Sequence, residues 1–347
     1  LPFTSFLRVF SIMNRLAFDR FLASLPKTET HLHVEGALPW ELLEQKDPDR
    51  FLKTPFFRES DFRYENFEQF ESILIEHAMC WFDSVESYYE AARVIFSKHL
   101  QQNVKYVETS FHAGMMEFLK LPGEEILTAI LDAVPEGLEV RVFLGISRNA
   151  YTPYLGPLLE NALSWEQLSG IDLHGLESLP FEPWIPRFWE RARGEGKVVK
   201  AHAGEFGPAS NIAQAVNELK VNRIQHGTRA IEDEDLMNLL VNEDVTLDMC
   251  PISNYKLKVI DQLENHPIKE FMKRGIRCTV STDDPLSFNN SLVDEFNTLR
   301  EQLSFTHLEI AELISNGFIV ANLDSIQKQK FINQIKSEII EAEKNCG

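Results

Sequence analysis

The sequence predicts an α/β fold, a (β/α)8 TIM barrel, on three observations. Short β-type runs alternate eight times with longer amphipathic segments. The first and last runs lie about 250 residues apart, the usual extent of such a barrel. No GxGxxG or GxxxxGKS/T turn follows an early strand, as the alternative, an open doubly wound sheet, would want.

The elements follow in order. The first strand is expected at Thr30–Glu35. A long aromatic-rich helical insertion follows at about 40–100, with Phe62, Phe67, Phe70, Trp81 and Phe82. It leaves the catalytic end of the first strand, so it is placed to cover the barrel mouth as an apolar lid, although most of these aromatics read as ordinary helix-face packing. Strands are then expected at Val104–Phe111, Val140–Ser147, Gly170–His174, Val198–Ala203, Arg223–Gly227, Thr246–Pro251 and Arg277–Thr282. Helical patterns between them include Glu124–Ala133, Trp184–Arg193, Asn211–Leu219, Asp233–Val241 and Pro267–Arg274, and helices after about Ser304 close the chain. No Pro/Gly/Ser-rich or charged linker interrupts this order, so 1–347 reads as one domain with its barrel core at about 28–303. Leu1–Ile12 is apolar with one basic residue, Arg8. It lacks a basic segment ahead of an unbroken apolar core, so it reads as a frayed extension before Met13 and not as a signal peptide.

Composition narrows the function. The 347 residues are 44% hydrophobic and 25% charged, with a formal net charge of -19. So acidic a surface repels phosphate backbones and anionic lipid, which argues against nucleic-acid and membrane partners and for a small, neutral substrate. No apolar run approaches the ~20 residues of a membrane span. Cys80, Cys250, Cys278 and Cys346 are scattered, with no CxxC pair. That pattern fits reduced thiols in a cytoplasmic protein.

Four motifs carry chemistry. Thr30-His31-Leu32-His33-Val34-Glu35-Gly36 lies on the first strand, where alternation sends His31 and His33 to one face. Two adjacent imidazoles suit a metal, or a pair of hydrogen-bonded core histidines. His202-Ala203-Gly204-Glu205 ends the fifth strand, Gln225-His226-Gly227 the sixth, and Ser281-Thr282-Asp283-Asp284-Pro285 the eighth. Taken alone, two acids before a proline suggest a helix cap or a turn. Together these residues sit at the carboxyl ends of strands 1, 5, 6 and 8, which converge on one mouth in a closed barrel. Three His and one Asp make a zinc shell with an open position for water, whose acidity the metal raises. Glu205 is then placed to pass a proton and His226 to orient or deprotonate the water. The surroundings are expected to raise the pKa of Glu205 and to keep Asp283 ionised.

At these residues the chain resembles the adenosine/adenine deaminase family of the amidohydrolase superfamily. The matching stretches are Pro26–Gly36, Gly170–Gly175, His202–Glu205, Arg223–Gly227, Cys250–Asn254 and Ser281–Pro285, in family order across nearly the whole barrel. The resemblance implies one zinc per chain, bound by His31, His33, His202 and Asp283. It implies that Glu205 protonates the ring nitrogen beside the amino-bearing carbon and that His226 orients the hydrolytic water. Asp284 would bond the imidazole side of a purine and the Gly175 backbone the pyrimidine side. The chain departs from the family at His174-Gly175-Leu176-Glu177, where many adenosine deaminases carry Ala-Gly-Asp-Glu, and at Glu35, where an Asp that can contact ribose often stands. Cys250–Leu257 looks more like the adenine deaminase branch. Selectivity is therefore sought around Glu35, His174–Glu177 and the aromatic insertion, with His174, Phe67 and Phe70 as candidate contacts.

The implied reaction is zinc-dependent hydrolytic deamination of a 6-aminopurine, adenine or an adenosine-type nucleoside, to the 6-oxopurine and ammonia. A modified nucleoside such as aminodeoxyfutalosine is an alternative substrate. A non-catalytic purine-binding barrel and a hydrolase of other C–N or P–O bonds are alternative functions. The absence of CxxC argues against the cytidine-type zinc deaminases. Gly170–His174 ends without the lysine of a dinuclear relative, which favours a single metal.

Overall fold

In the computed structural model, which describes residues 13–346, eight parallel strands pair in chain order: β1 (Lys27–His33), β2 (Val104–His112), β3 (Glu139–Ser147), β4 (Gly170–His174), β5 (Val198–Ala203), β6 (Arg223–His226), β7 (Thr246–Met249) and β8 (Arg277–Val280). Helices flank the sheet, and the fold is the expected (β/α)8 barrel. The strands are buried almost throughout, as parallel strands covered by helices must be. The seam between β8 and β1 is joined at its carboxyl end, where Leu32 bridges Asp283. There the His33 N–H donates to Asp283 O at 3.2 Å and the Asp283 N–H donates to His31 O at 3.1 Å. The backbone that closes the barrel thus also carries three of the residues singled out by the motifs. The extension expected at Leu1–Ile12 lies outside the described residues.

The insertion comprises Trp40–Lys46, Pro48–Phe51, the 3-10 turn Phe56–Arg58 and the helix Phe67–Ala78. The next helix, Val85–Gln101, is the crossover of the first β/α unit and packs on β2, so the insertion ends earlier than the 40–100 boundary. Ser84 starts that crossover through a reciprocal capping box with Ser87. Phe82 and Trp81 are buried packing residues, but they lie in the turn between Ala78 and Val85 and not on a helix face. Phe70 instead stacks on Phe288 with ring centres 5.5 Å apart, bracing the Phe67–Ala78 helix over the mouth. The stretch expected as one helix at Asn211–Leu219 begins at Ala209 and widens into a π-helical turn over Ala215–Leu219. No helix among the described residues is long and apolar enough to cross a membrane.

Below the mouth the barrel is filled by charge. The Arg223 guanidinium donates to both oxygens of Asp248 and, at 3.1 Å, to Glu108 Oε2. Lys200 pairs with Glu108 and donates to Thr30 O at 2.8 Å. Thr279 donates to Asp248 at 2.6 Å, and Tyr106 to Glu108 at 2.6 Å. Burial raises the Glu108 pKa, but Arg223 and Lys200 outweigh it and bring it down to about 2. Removing one member of such a cluster leaves its partners charged and dry. Arg223→Ala is therefore expected to cost ~3–5 kcal/mol. The measurement is a urea midpoint at unchanged m-value. An unaltered midpoint would contradict this account of the barrel centre.

Candidate active site

The strand ends bring the motif residues together. His31 Nε2 lies 3.0 Å from His202 Nε2 and 3.3 Å from His33 Nε2, and both His31 Nε2 and His33 Nε2 lie 3.3 Å from Asp283 Oδ1. One ligand atom from each of these four residues falls within 4.8 Å of all the others. Their outward atoms are already engaged. His202 Nδ1 donates to Leu173 O at 3.1 Å, with Asp172 Oδ2 at 3.3 Å. A carbonyl only accepts, so Nδ1 carries the proton and the Nε2 lone pair faces the cluster. His33 Nδ1 meets Ser110 Oγ at 2.9 Å, and Ser253 donates to Asp283 Oδ2 at 2.7 Å. Burial would raise the Asp283 pKa, but His31 and His33 hold it well below the usual carboxylate range. Imidazole nitrogens and a carboxylate converging at such distances fit a divalent cation, and N3O donors suit zinc.

Glu205 follows β5 through Gly204, whose φ of +68° leaves space only for a residue without a Cβ, since one would lie 2.3 Å from Ile212 Cδ1. Burial, followed by the charges of Asp283 and Glu177, pushes the Glu205 carboxyl well above its ordinary pKa. Its Oε1 is 3.5 Å from His226 Nε2. His226 itself has a left-handed backbone, φ +64°, followed by Gly227 at +71°. Strained conformations of this kind persist where surrounding structure enforces them.

A buried relay sets the His226 ring. The Ile268 N–H donates to His266 Nδ1 at 3.2 Å, so the proton of neutral His266 is on Nε2, which donates to Asn254 Oδ1 at 3.1 Å. Asn254 Nδ2 then donates to His226 Nδ1 at 3.1 Å. Neutral His226 consequently presents an Nε2–H toward Glu205 and Asp283. Burial keeps both imidazoles neutral by lowering their pKa, to about 3 for His266.

Asp284 completes this side. Its Oδ1 is buried without a partner among the described residues, and burial followed by the Asp283 charge pushes its pKa well up. The close approach depends on Gly36, where a Cβ would lie 1.5 Å from Asp284 Oδ1.

These groups open into a cavity of about 410 Å³, within the ~300–1,000 Å³ of small-molecule sites. Glu35, Phe67, Phe70, His174 and Gly175 all line it. Glu35 Oε1 accepts from Tyr88 OH at 2.8 Å and from the His112 N–H at 3.1 Å. His174 stacks on His33 with centres 5.8 Å apart, and Gly175 turns the chain with φ +81°. The outer wall is apolar, from Leu74 and Ile75 to Met115 and Phe118, and among the described residues no Lys or Arg lines the cavity.

Sequence reasoning missed His112 and Ser147 in the lining, with His112 Nε2 3.1 Å from Ser147 Oγ. The Gly114 N–H donates to His112 Nδ1 at 2.9 Å, and burial, then His33, lowers the His112 pKa to about 4. Both stand at strand ends, the same positional signal that singled out His202 and His226. Asn254, on the helix Pro251–Lys256, and His266, just after the 3-10 turn Leu263–Asn265, are not at strand ends, and their role depends on a tautomer chain between them.

A parallel barrel with an imidazole–carboxylate cluster and a buried acid at its mouth is the architecture of a metal-dependent hydrolase. Within that class, the family described as adenosine deaminase matches residues 26–338, and this chain belongs to it. It is similar to the adenine deaminase of Crocosphaera subtropica, 30% identical over 90% of this chain and 99% of the relative. It is also similar to that of Ectopseudomonas mendocina, 33% identical over 86% and 97%. Among solved structures, the adenine deaminase of Arthrobacter aurescens superimposes with a TM-score of 0.80 at 25% identity, over 91% of this chain and 99% of the other. The N6-methyl-AMP deaminase of Arabidopsis thaliana shares the fold at a TM-score of 0.76 and 19% identity, over 92% and 98%. Deaminases of this superfamily depend on a metal, and His31, His33, His202 and Asp283 form a group able to hold one.

Proposed function

We propose that this protein, acting as one domain with one zinc per chain, hydrolytically deaminates a 6-aminopurine to the 6-oxopurine and ammonia. The observation that carries this reading is Glu205: a buried acid, pushed toward its protonated form, beside His226 and the His/Asp cluster. Zinc held by His31, His33, His202 and Asp283 would supply Lewis-acid activation of water. Glu205 brings a proton for the ring nitrogen next to the amino-bearing carbon, which makes that carbon electrophilic. His226, fixed by Asn254 as an Nε2–H donor, orients the incoming water by hydrogen bonding. Asp284, with a raised pKa and an uncommitted buried oxygen, holds a proton suited to an acceptor nitrogen on the imidazole side of the purine. The Gly175 N–H is the donor for the pyrimidine side.

Adenine is the first candidate substrate, because the relatives identical at 30–33% over most of the chain are adenine deaminases. The cavity reaches from the cluster to Phe118, which makes adenosine the second. Among the described residues no Lys or Arg lines the cavity to offer a phosphate counter-charge, so AMP is expected to be rejected. Specificity constants for adenine, adenosine, aminodeoxyfutalosine and AMP test this order. Adenine should be turned over best and AMP not measurably; efficient turnover of AMP would overturn the assignment of the cavity.

A further inference from the structure

Glu177 is buried in the loop after β4, and among the described residues neither of its carboxylate oxygens forms an ion pair. Both face backbone instead. Oε2 accepts from the N–H groups of Glu205 at 3.0 Å, Phe206 at 3.0 Å and Gly207 at 2.8 Å. Oε1 accepts from the Gly204 N–H at 2.5 Å and from Asn211 Nδ2 at 3.1 Å. One carboxylate therefore satisfies four consecutive amides of the loop that carries Glu205. Such charge-assisted bonds are the strong ones, and an amide left buried and unpaired carries its full desolvation penalty.

Two further features show that the loop is built around this carboxylate. A Cβ at Gly207 would lie 2.6 Å from Glu177 Oε1, so the loop backbone is bare where the carboxylate seats. Arg148, 2% exposed, donates to Glu177 O at 3.0 Å and to Leu179 O at 2.9 Å, which anchors the Glu177 backbone from the end of β3. The His202 ring is held through Leu173 O and Asp172, and Arg148 also donates to the His202 carbonyl at 3.4 Å. The Glu177 carboxylate itself bonds only the segment after the metal-ligand candidate and Asn211, not the groups that hold the His202 ring.

We propose that Glu177 is a positioning residue for the deamination reaction: it clamps the Gly204–Gly207 backbone and so fixes where Glu205 delivers its proton. The proposal rests on the role given above to Glu205. In Glu177→Gln one oxygen becomes an amide donor and must oppose either the Gly204 N–H or the Glu205–Gly207 set. The loop then shifts, with Glu205 and Phe206, while the cation cluster and the remaining cavity walls stay. A displacement near 1 Å at a reacting group costs ~10²-fold. The expected result is a kcat lower by ~10–10²-fold, with KM for adenine and zinc per chain unchanged.

A double-mutant cycle with Glu205→Gln provides the test. If Glu177 acts through Glu205, adding Glu177→Gln to the Glu205→Gln protein lowers the residual rate by less than twofold. Multiplying effects, or a rise in KM or loss of zinc equal to the loss of kcat, would overturn the proposal. Normal turnover by Glu205→Gln alone would instead refute the proposed role of Glu205, a separate failure. If Glu177→Gln does not fold, Asn211→Ala, which removes the bonds to Oε1 and to the Glu177 carbonyl, takes its place in the cycle. It should lower kcat by a smaller factor with the same non-additivity, and full additivity there overturns the proposal equally.

Discussion

Glu205→Gln is expected to fold, to bind zinc at the wild-type stoichiometry and to lose ~10²–10⁴-fold in kcat, the usual contribution of a general acid. The substitution keeps the shape and the hydrogen-bonding reach of the side chain and removes only its dissociable proton. Burial and the Asp283 and Glu177 charges favour the protonated acid in the wild type, so the neutral amide adds no new charge problem. His226 keeps its Asn254 partner, and none of the four clustered ligand atoms belongs to Glu205. KM for adenine should therefore change little, because the lost interaction is made in the transition state. Steady-state kinetics with metal analysis on the same sample checks this; wild-type kcat in the variant would remove Glu205 from the chemistry.

Stripping the metal is expected to abolish turnover and to lower thermal stability together. Without a cation, Asp283 Oδ1 and three imidazole lone pairs face one another across 3.0–3.3 Å. An ion that binds only the folded chain stabilises it by about 2.7 kcal/mol at a hundred times its Kd. Prolonged chelation should lower Tm and reduce activity to background, and one equivalent of zinc should restore both. The outer partners of the ligands, Ser110, Leu173 and Ser253, remain in place, so the cluster is preformed and recovery should need no refolding. Full activity in protein with no detectable metal would contradict the assignment of the cluster.

The strands were legible because their apolar runs are bounded by helical periodicity, and the mouth because motif residues recur at strand ends. The arrangement of His31, His33, His202 and Asp283 needed only the rule that these ends converge. What escaped was chemistry whose partners are remote in sequence. Lys200 sits in an apolar run and reads as an exposed interruption, yet it is buried against Glu108 and Thr30. Arg223 and Asp248 look like ordinary surface charges until β6, β7 and β2 are brought around one axis. Glu177 stood in the sequence only as the unchanged last residue of a pocket loop that departs at His174 and Leu176. Its bonds to four backbone amides carry no side-chain pattern, so only the folded loop reveals them. The insertion boundary moved for a simpler reason: the crossover helix Val85–Gln101 is as aromatic as the lid before it, and only its packing on β2 distinguishes the two.

The most direct measurement of the central claim is product analysis with zinc-replete wild-type protein and adenine. Ammonia and the 6-oxopurine should appear in equal amounts, at a rate proportional to bound zinc and depressed in Glu205→Gln. No ammonia from adenine, adenosine or any other 6-aminopurine under these conditions would contradict the account.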